Sequence, residues 1–249
     1  MGNINNYINI FNRYYKRFDI KAVALLRKFH HSYRVMEYSN MLASNLGLDS
    51  HDLYIANIIG LFHDIGRFTQ YTKYGTYCDD KSIDHAKESC DVLEKENMLV
   101  DLNCEDYEIV MRAIYNHNKY EISKEVTDKC LLHSKIIRDA DKIDIMLEQA
   151  NIFSSDNQEL SQELLNNIYS KNCCIQNSNV SEVDIILVQL GFLFDINYRY
   201  TIDFLLKKNW FENKFNLLEN YCKDKDEVYR LKNFIMKYVH ECNKEGDLC

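Results

Sequence analysis

The chain has 249 residues, of which 46% are hydrophobic, and a formal net charge of −8 at pH 7. This apolar content allows a sizeable core in one large domain or two small ones. The negative charge argues against a binder of nucleic-acid polymers, whose affinity comes mainly from clustered Lys and Arg. A small anionic substrate stays compatible with it, because a metal ion and a few local cations can reverse the field inside one pocket.

The sequence predicts an all-α fold, a multi-helix bundle with a C-terminal helical extension. It contains no proline and only seven glycines, so the commonest helix breakers and turn formers are missing. Gly47 is expected to close the second helix, Asp49 or Ser50 to cap the third, and Gly66 to end it. Apolar periodicity predicts helices at about residues 4–17, 22–46, 51–65, 82–97, 104–118, 129–150, 181–207 and 224–243.

Two segments between these helices carry less apolar periodicity. Residues 69–81 are rich in tyrosine and are predicted to be irregular, either as the rim of a pocket or as a loop with solvent-facing rings. Residues 151–181 are polar and are predicted to form a connection, with one short helix around residues 164–168. We therefore expect a core at residues 1–150 and a C-terminal layer at 151–249 that packs on it as a lid within the same domain.

The chain has no apolar run near its N-terminus and no stretch that approaches a membrane span, so no membrane association is expected. Its nine cysteines are odd in number, irregularly spaced and without a C-x-x-C pair. This pattern is typical of reduced thiols, and it predicts a cytoplasmic protein without a disulfide framework.

Several residues that can bind a transition metal lie on apolar helix faces. His31 is followed on its face by Val35 and Leu42, and Asp141 lies four residues after Ile137. A buried carboxylate needs a compensating cation, and a metal ion supplies one. A single histidine on an apolar face is more often a packed core residue, but a set of them on successive helices favours a metal site. The candidate ligands are His31, His63, Asp64, His85, His117 and Asp141.

Three segments resemble the signature blocks of the HD-domain metal-dependent phosphohydrolase superfamily, and the resemblance covers about residues 25–150. The segments are residues 31–35 (HSYRV), 62–67 (FHDIGR) and 138–144 (RDADKID). In that family the first His, the His-Asp doublet and the late Asp bind one metal. The resemblance therefore implies His31, His63, Asp64 and Asp141 as ligands, with Asp141 favoured over Asp139 because the family's ligand follows Ala.

His85 and His117 lie in the order of the two further histidines that bind a second metal in the binuclear branch of the family. In that branch Asp64 would bridge the two ions. A site with one metal stays open, in which case His85 would contact the substrate phosphate. The resemblance implies one or two divalent ions, Mn, Fe, Ni, Co or Zn, with Mg also allowed.

The implied activity is hydrolysis of a phosphate ester or anhydride of a nucleotide or similar small molecule by metal-activated water. Asp64 would hold the ions, and Arg67 and Lys142 would neutralise phosphate charge, unless they are exposed helix-end cations. Arg34 could pair with Asp144 or Asp141 behind the ligands. Two alternatives are a regulatory nucleotide-binding module without turnover and a di-iron oxygenase of the HD type. The substrate's identity and the oligomeric state stay open.

Overall fold

A computed structural model of the protein describes residues 3–148, 155–173 and 181–242. Within these ranges every regular element is helical, apart from one isolated bridge between Gln158 and Cys222, which confirms the predicted all-α class. No helix among them is long and apolar enough to cross a membrane. The chain divides into two compact units, Met1–Asp144 and Ile145–Cys249.

The first unit contains seven helices, of which the last runs three residues past its boundary. They are α1 (Ile4–Tyr15), α2 (Val23–Asn45), α3 (Ser50–Phe62), α4 (Gly66–Tyr74), α5 (His85–Lys95), α6 (Cys104–Asn116) and α7 (Asp128–Leu147).

The close packing of α2 against α3 depends on Gly60. This packing positions the candidate ligands His31, on α2, and His63 and Asp64, which follow α3. A Cβ atom at Gly60 would lie 2.6 Å from the Cα of Met36, so only glycine permits the observed distance between the two helices. Aromatic rings fill the space beside them, with Phe11 contacting both Phe62 and Phe68. These rings are fully buried and fix the ends of α3 and α4 against α1.

The predicted signals at the junction of α2 and α3 are confirmed. Gly47 adopts a left-handed backbone with φ of 70°, and the Asp49 side chain accepts hydrogen bonds from the amides of His51 and Asp52.

The prediction that Gly66 ends the third helix is wrong. Residues 63–65 turn the chain, His63 and Ile65 keep right-handed helical dihedrals, and Gly66 begins α4. Gly66 is required there for another reason, because a Cβ atom would lie 2.5 Å from the backbone nitrogen of Ser89 on α5. The irregular segment is therefore shorter than predicted, and runs from Gly75 to the start of α5 with a 3-10 turn at Asp79–Lys81.

The second unit contains α8 (Gln162–Tyr169), α9 (Glu182–Gly191), α10 (Arg199–Lys207), α11 (Trp210–Tyr221) and α12 (Lys225–Cys242). The predicted single helix at 181–207 is wrong, because the 3-10 turn Phe192–Asp195 separates α9 from α10. Helix α11 was not predicted, and it begins after Asn209, whose φ of 52° allows a sharp change of direction.

The apolar faces of α8 to α12 form a core of their own that includes Leu187, Trp210, Phe215 and Leu231. The packing of this unit on the first stays a prediction. Helix α8 lies where the short helix was expected. Parts of the predicted connection (residues 151–154 and 174–180) and the predicted helix ends at 149–150 and 243 lie outside the described residues.

Candidate metal centre

Five segments of the first unit bring the predicted ligands together. His31 lies within α2, His63 and Asp64 follow the last residue of α3, His85 begins α5, His117 follows α6, and Asp141 lies within α7. All are buried except Asp141, whose side chain is 20% exposed.

The first group consists of His31, His63 and Asp141. The Nε2 atoms of His31 and His63 lie 3.2 Å apart. Oδ1 of Asp141 lies 3.1 Å from Nε2 of His31 and 3.7 Å from Nε2 of His63. Oδ2 of Asp64 faces the same two nitrogen atoms at 3.4 Å and 3.7 Å. Two imidazole nitrogens and two carboxylate oxygens thus converge on one small space.

The second group consists of His85 and His117, whose Nε2 atoms lie 3.1 Å apart. The other carboxylate oxygen of Asp64, Oδ1, lies 3.6 Å from Nε2 of His85 and 3.7 Å from Nε2 of His117. Asp64 therefore lies between the two groups, with Oδ2 facing the first group and Oδ1 facing the second.

The opposite nitrogen of every one of these rings is engaged by an oxygen that only accepts hydrogen bonds. Nδ1 donates to Asp144 Oδ2 in His31 (2.7 Å), to Gly60 O in His63 (2.8 Å), to Asp79 Oδ2 in His85 (2.5 Å) and to Ile114 O in His117 (2.6 Å). A neutral imidazole with its proton on Nδ1 offers its lone pair at Nε2. The donor set of nitrogen lone pairs and carboxylates fits a divalent transition metal.

The charge balance of the first group also calls for a cation. Burial and Lys28 lower the pKa of His31, but hydrogen bonds to Asp141, Asp144 and Asp64 raise it to about 10. Burial would raise the pKa of Asp141, yet His31 and His63 hold it well below the usual range. The carboxylates thus stay ionised and draw a positive charge to the Nε2 atoms, where a metal ion would supply it.

The residues expected behind the ligands are also near them. Arg34 donates from Nε and Nη2 to the two oxygens of Asp144, at 2.6 Å and 2.9 Å. Asp144 in turn accepts the Nδ1 proton of His31. Of the two partners that the sequence suggested for Arg34, the contact is with Asp144.

Neither of the two predicted phosphate-binding cations is an exposed side chain. Arg67 is largely buried, with Nε 3.4 Å from Oδ1 of Asp64 and Nη1 donating to Asp79, Gln70 and the carbonyl of Tyr77. It is therefore not an exposed helix-end cation. Lys142, next to Asp141 on α7, is also buried.

Sequence reasoning missed two charged residues of the site, Lys28 and Asp79. Lys28 lies one helical turn before His31, and its Nζ donates to Oδ2 of Asp64 at 2.7 Å. That spacing was a usable signal, since residues three apart on a helix share a side. Asp79 lies in the irregular segment, where periodicity gives no information on position.

The tyrosine-rich segment contributes one ring to the neighbourhood of Asp64. Tyr77 packs against Tyr71 with ring centroids 4.8 Å apart, and its hydroxyl donates to the carbonyl of Ala24. The Tyr77 ring centroid lies 5.7 Å from Nζ of Lys28 and 5.7 Å from Cζ of Arg67. Tyr74, in contrast, is exposed.

Residues 29–146 match the family model of the HD domain, which spans every candidate ligand and confirms the predicted resemblance. No curated protein matches the chain. A similar solved structure is that of a predicted HD superfamily hydrolase involved in NAD metabolism from Clostridium acetobutylicum. It is 18% identical, with a TM-score of 0.39, over 93% of this chain and 97% of that one.

Proposed function

We propose that the chain, whose residues 29–146 match the family model of the HD domain, is a metal-dependent phosphohydrolase of that superfamily. Its substrate is a phosphate ester or anhydride of a nucleotide or a similar small molecule. One observation carries the proposal: four Nε2 atoms and both oxygens of Asp64 converge, while every Nδ1 atom is engaged elsewhere. Packing alone gives no reason to aim four nitrogen lone pairs at one carboxylate.

We assign two ions to this centre. His31, His63, Asp141 and Oδ2 of Asp64 would hold the first, and His85, His117 and Oδ1 of Asp64 the second. Imidazole and carboxylate donors suit Mn, Fe, Co, Ni or Zn better than Mg, which prefers oxygen ligands alone. The support for two ions is that the two oxygens of Asp64 face different histidine pairs.

A divalent ion at such a site supplies a water of lowered pKa and polarises the phosphoryl oxygen under attack. The chain's own cations would bind the remaining phosphate charge. Arg67 is fixed by Asp79 and Asp64 with its guanidinium beside the second pair. Lys28 keeps part of its side chain, 19%, exposed while it contacts Asp64, so its ammonium can reach a phosphate oxygen. Lys142, the residue after Asp141 on α7, is the third candidate.

The test combines metal analysis with a substrate panel. Purified protein is analysed for bound metal and then assayed with nucleoside mono-, di- and triphosphates, dinucleoside polyphosphates and cyclic dinucleotides in the presence of Mn²⁺. Asp64→Ala and Asp141→Ala should lose metal and at least about 100-fold of the activity. His30→Ala is the matched control, because His30 is the exposed neighbour of His31 on the same helix.

Each competing function has its own outcome in this test. Full metal occupancy in both Asp variants would overturn the metal centre. Metal binding with no turnover of any phosphate ester would favour the regulatory module. Turnover that stops under anaerobic conditions would favour the di-iron oxygenase, because hydrolysis needs no oxygen.

A further inference from the structure

The carboxylate of Asp79 is bound by four side chains beside the centre, those of His85, Arg67, Gln70 and Asn118. Its Oδ2 accepts the Nδ1 proton of His85 at 2.5 Å, and its Oδ1 accepts from Arg67 at 3.1 Å and from Gln70 at 2.9 Å. Asn118, next to His117, donates to Oδ2 at 3.3 Å. One carboxylate therefore connects the loop with α4, α5 and the end of α6.

The arrangement repeats that of Asp144 in the other histidine pair. In each pair one ring donates to a carboxylate that is also bound by an arginine: His31 to Asp144 with Arg34, and His85 to Asp79 with Arg67. The second ring of each pair donates instead to a carbonyl oxygen three residues earlier on its own helix. The two pairs are thus built alike, although they share no sequence motif around these carboxylates.

The two carboxylates, Asp144 and Asp79, differ in the element that carries them and in the exposed fraction of the side chain. Asp144 belongs to α7 and its side chain is 2% exposed, whereas Asp79 belongs to the segment between α4 and α5 and is 30% exposed. The orientation of His85 thus depends on the order of a surface segment, and that of His31 does not.

Asp79 is not placed to bind the ion itself. It contacts His85 at Nδ1, on the side of the ring opposite Nε2, which is the atom that faces His117 and Asp64. A carboxylate in this position fixes the ring and raises the basicity of the ligating nitrogen.

We propose that Asp79 is the positioning residue of the His85–His117 pair, and that through Asp79 the loop at residues 75–84 governs binding of the second ion. The inference rests on the proposed two-ion centre. Because coupling is reciprocal, an ion bound by this pair must also order the loop.

The experiment measures ion binding rather than turnover. Wild-type protein, Asp79→Asn, Asp79→Ala and Asp144→Asn are stripped of metal and titrated with Mn²⁺ and Co²⁺, and the visible absorption of Co²⁺ reports each site. Asp80→Asn is the matched control, because Asp80 is the exposed neighbour of Asp79 in the same turn. Asp79→Glu tests rescue by a displaced carboxylate.

We expect Asp79→Asn to weaken the second ion about 10–100-fold and leave the first unchanged, with a larger effect in Asp79→Ala and a smaller one in Asp79→Glu. Asp144→Asn should weaken the first ion instead. Hydrogen exchange in residues 76–84 should slow when Mn²⁺ fills both sites of wild-type protein, but not in Asp79→Ala. Retention of the first ion in the Asp79 variants shows that they are folded.

Equal affinity for both ions in wild-type protein and Asp79→Ala would overturn the inference and leave the proposed function intact. Weakening of both ions to the same extent would overturn it as well, because the role would then be general. A wild-type protein that binds a single ion at saturation overturns the inference and the two-ion assignment but not the proposed hydrolase activity, and one that binds no ion overturns the proposed function as well.

Discussion

The ammonium nitrogen of Lys28 lies 2.7 Å from Oδ2 of Asp64, the oxygen that faces His31 and His63. Lys28 and the first ion would therefore share one carboxylate oxygen, and the positive charge of Lys28 opposes that of the ion. Lys28→Met keeps the length and apolar stem of the side chain and removes the charge. It should leave Mn²⁺ affinity unchanged or increase it, and raise KM for a phosphorylated substrate about 10–100-fold.

Lys28→Met should thus weaken the binding of substrate without weakening the binding of Mn²⁺. This difference distinguishes a role in phosphate binding from a general structural role. Metal titration and steady-state kinetics at saturating Mn²⁺ are carried out on the same preparations, with Lys28→Arg as the variant that keeps the charge. A fall in Mn²⁺ affinity in Lys28→Met would mean that Lys28 only supports the fold of the site, and the assignment of Lys28 to phosphate would be wrong.

The two groups of ligands should release their ions in order. The first contains three protein side chains besides Asp64, and the second contains only His85 and His117. Fewer protein donors give a weaker site, so a chelator should remove about one equivalent quickly and the other slowly. His117→Ala should reduce the Mn²⁺ content from near two equivalents to near one.

The rates and stoichiometries are measured by elemental analysis after timed exposure to EDTA. His133→Ala is a suitable comparison, because His133 is a buried histidine whose ring faces Asp52 and not the centre. One equivalent in both wild-type protein and His117→Ala would contradict two-ion binding and move His85 and His117 to other roles.

Gly66 should affect metal binding through helix packing. A Cβ atom there would lie 2.5 Å from Ser89 N and 2.9 Å from the carbonyl oxygen of His85, so Gly66→Ala must push the first turn of α5 away. Overpacking of this kind costs about 1–3 kcal/mol of unfolding free energy, and here it also displaces a ligand. We expect a loss of the second ion together with the loss of stability, measured by urea unfolding and Mn²⁺ titration.

Gly47→Ala provides the control for this prediction. Gly47 has a φ of 70°, and a Cβ atom there would meet nothing within 4 Å apart from the adjoining residues of the chain, so alanine adds only backbone strain of about 1–2 kcal/mol. It should cost similar stability and keep both ions. If both variants lost the second ion equally, the effect would come from stability and not from the position of α5.

The candidate ligands, which the structure brings together, could be selected from the sequence because they combine a motif with periodicity. His31 and Asp141 interrupt apolar stripes on long helices, and the doublet at His63 and Asp64 follows an apolar helix. Such positions are determined locally, since a helix fixes which residues share a face. The cap at Asp49 and the left-handed Gly47 were predictable for the same reason.

The contacts that hold the ligands in place were less predictable. The pair of His85 with Asp79 depends on how a segment without periodicity folds back on α5, and no local rule determines this. The break between α9 and α10 is a 3-10 turn that begins directly after Gly191, the last residue of α9. A single glycine inside an apolar run is a weak signal of a break, and Gly191 itself keeps right-handed helical dihedrals. Helix α11 begins after a left-handed Asn209, which few sequence patterns distinguish from an ordinary loop residue.

His133 should make the stability of the protein depend on pH. It is fully buried, its Nε2 lies 3.3 Å from Oδ1 of Asp52, and its Nδ1 has no partner. Burial lowers the pKa of His133, Lys129 and His51 lower it further, and Asp52 opposes them. The net effect is a folded-state pKa below the ordinary value of about 6.5.

The sign of the effect follows from the protons bound by each state. Below about pH 6.5 the unfolded chain takes up a proton at His133, while the folded protein does so only at lower pH. The contribution of His133 to the free energy of unfolding should therefore fall as the pH drops below about 7, and level off beneath the folded-state pKa. Asp52, whose pKa Lys129 and His133 lower in spite of burial, adds to the slope only below about pH 5, because an ordinary carboxyl pKa is already near 3.9.

His133→Gln removes the titrating ring and keeps a donor for Asp52. We expect the slope of unfolding free energy against pH between about 5 and 7 to decrease by up to about 1.4 kcal/mol per pH unit relative to wild-type protein. Urea unfolding in the presence of EDTA at several pH values measures both slopes, and EDTA removes the contribution of bound metal. The other histidines contribute equally to the two proteins, so identical slopes would mean that His133 has the same pKa in the folded and unfolded states.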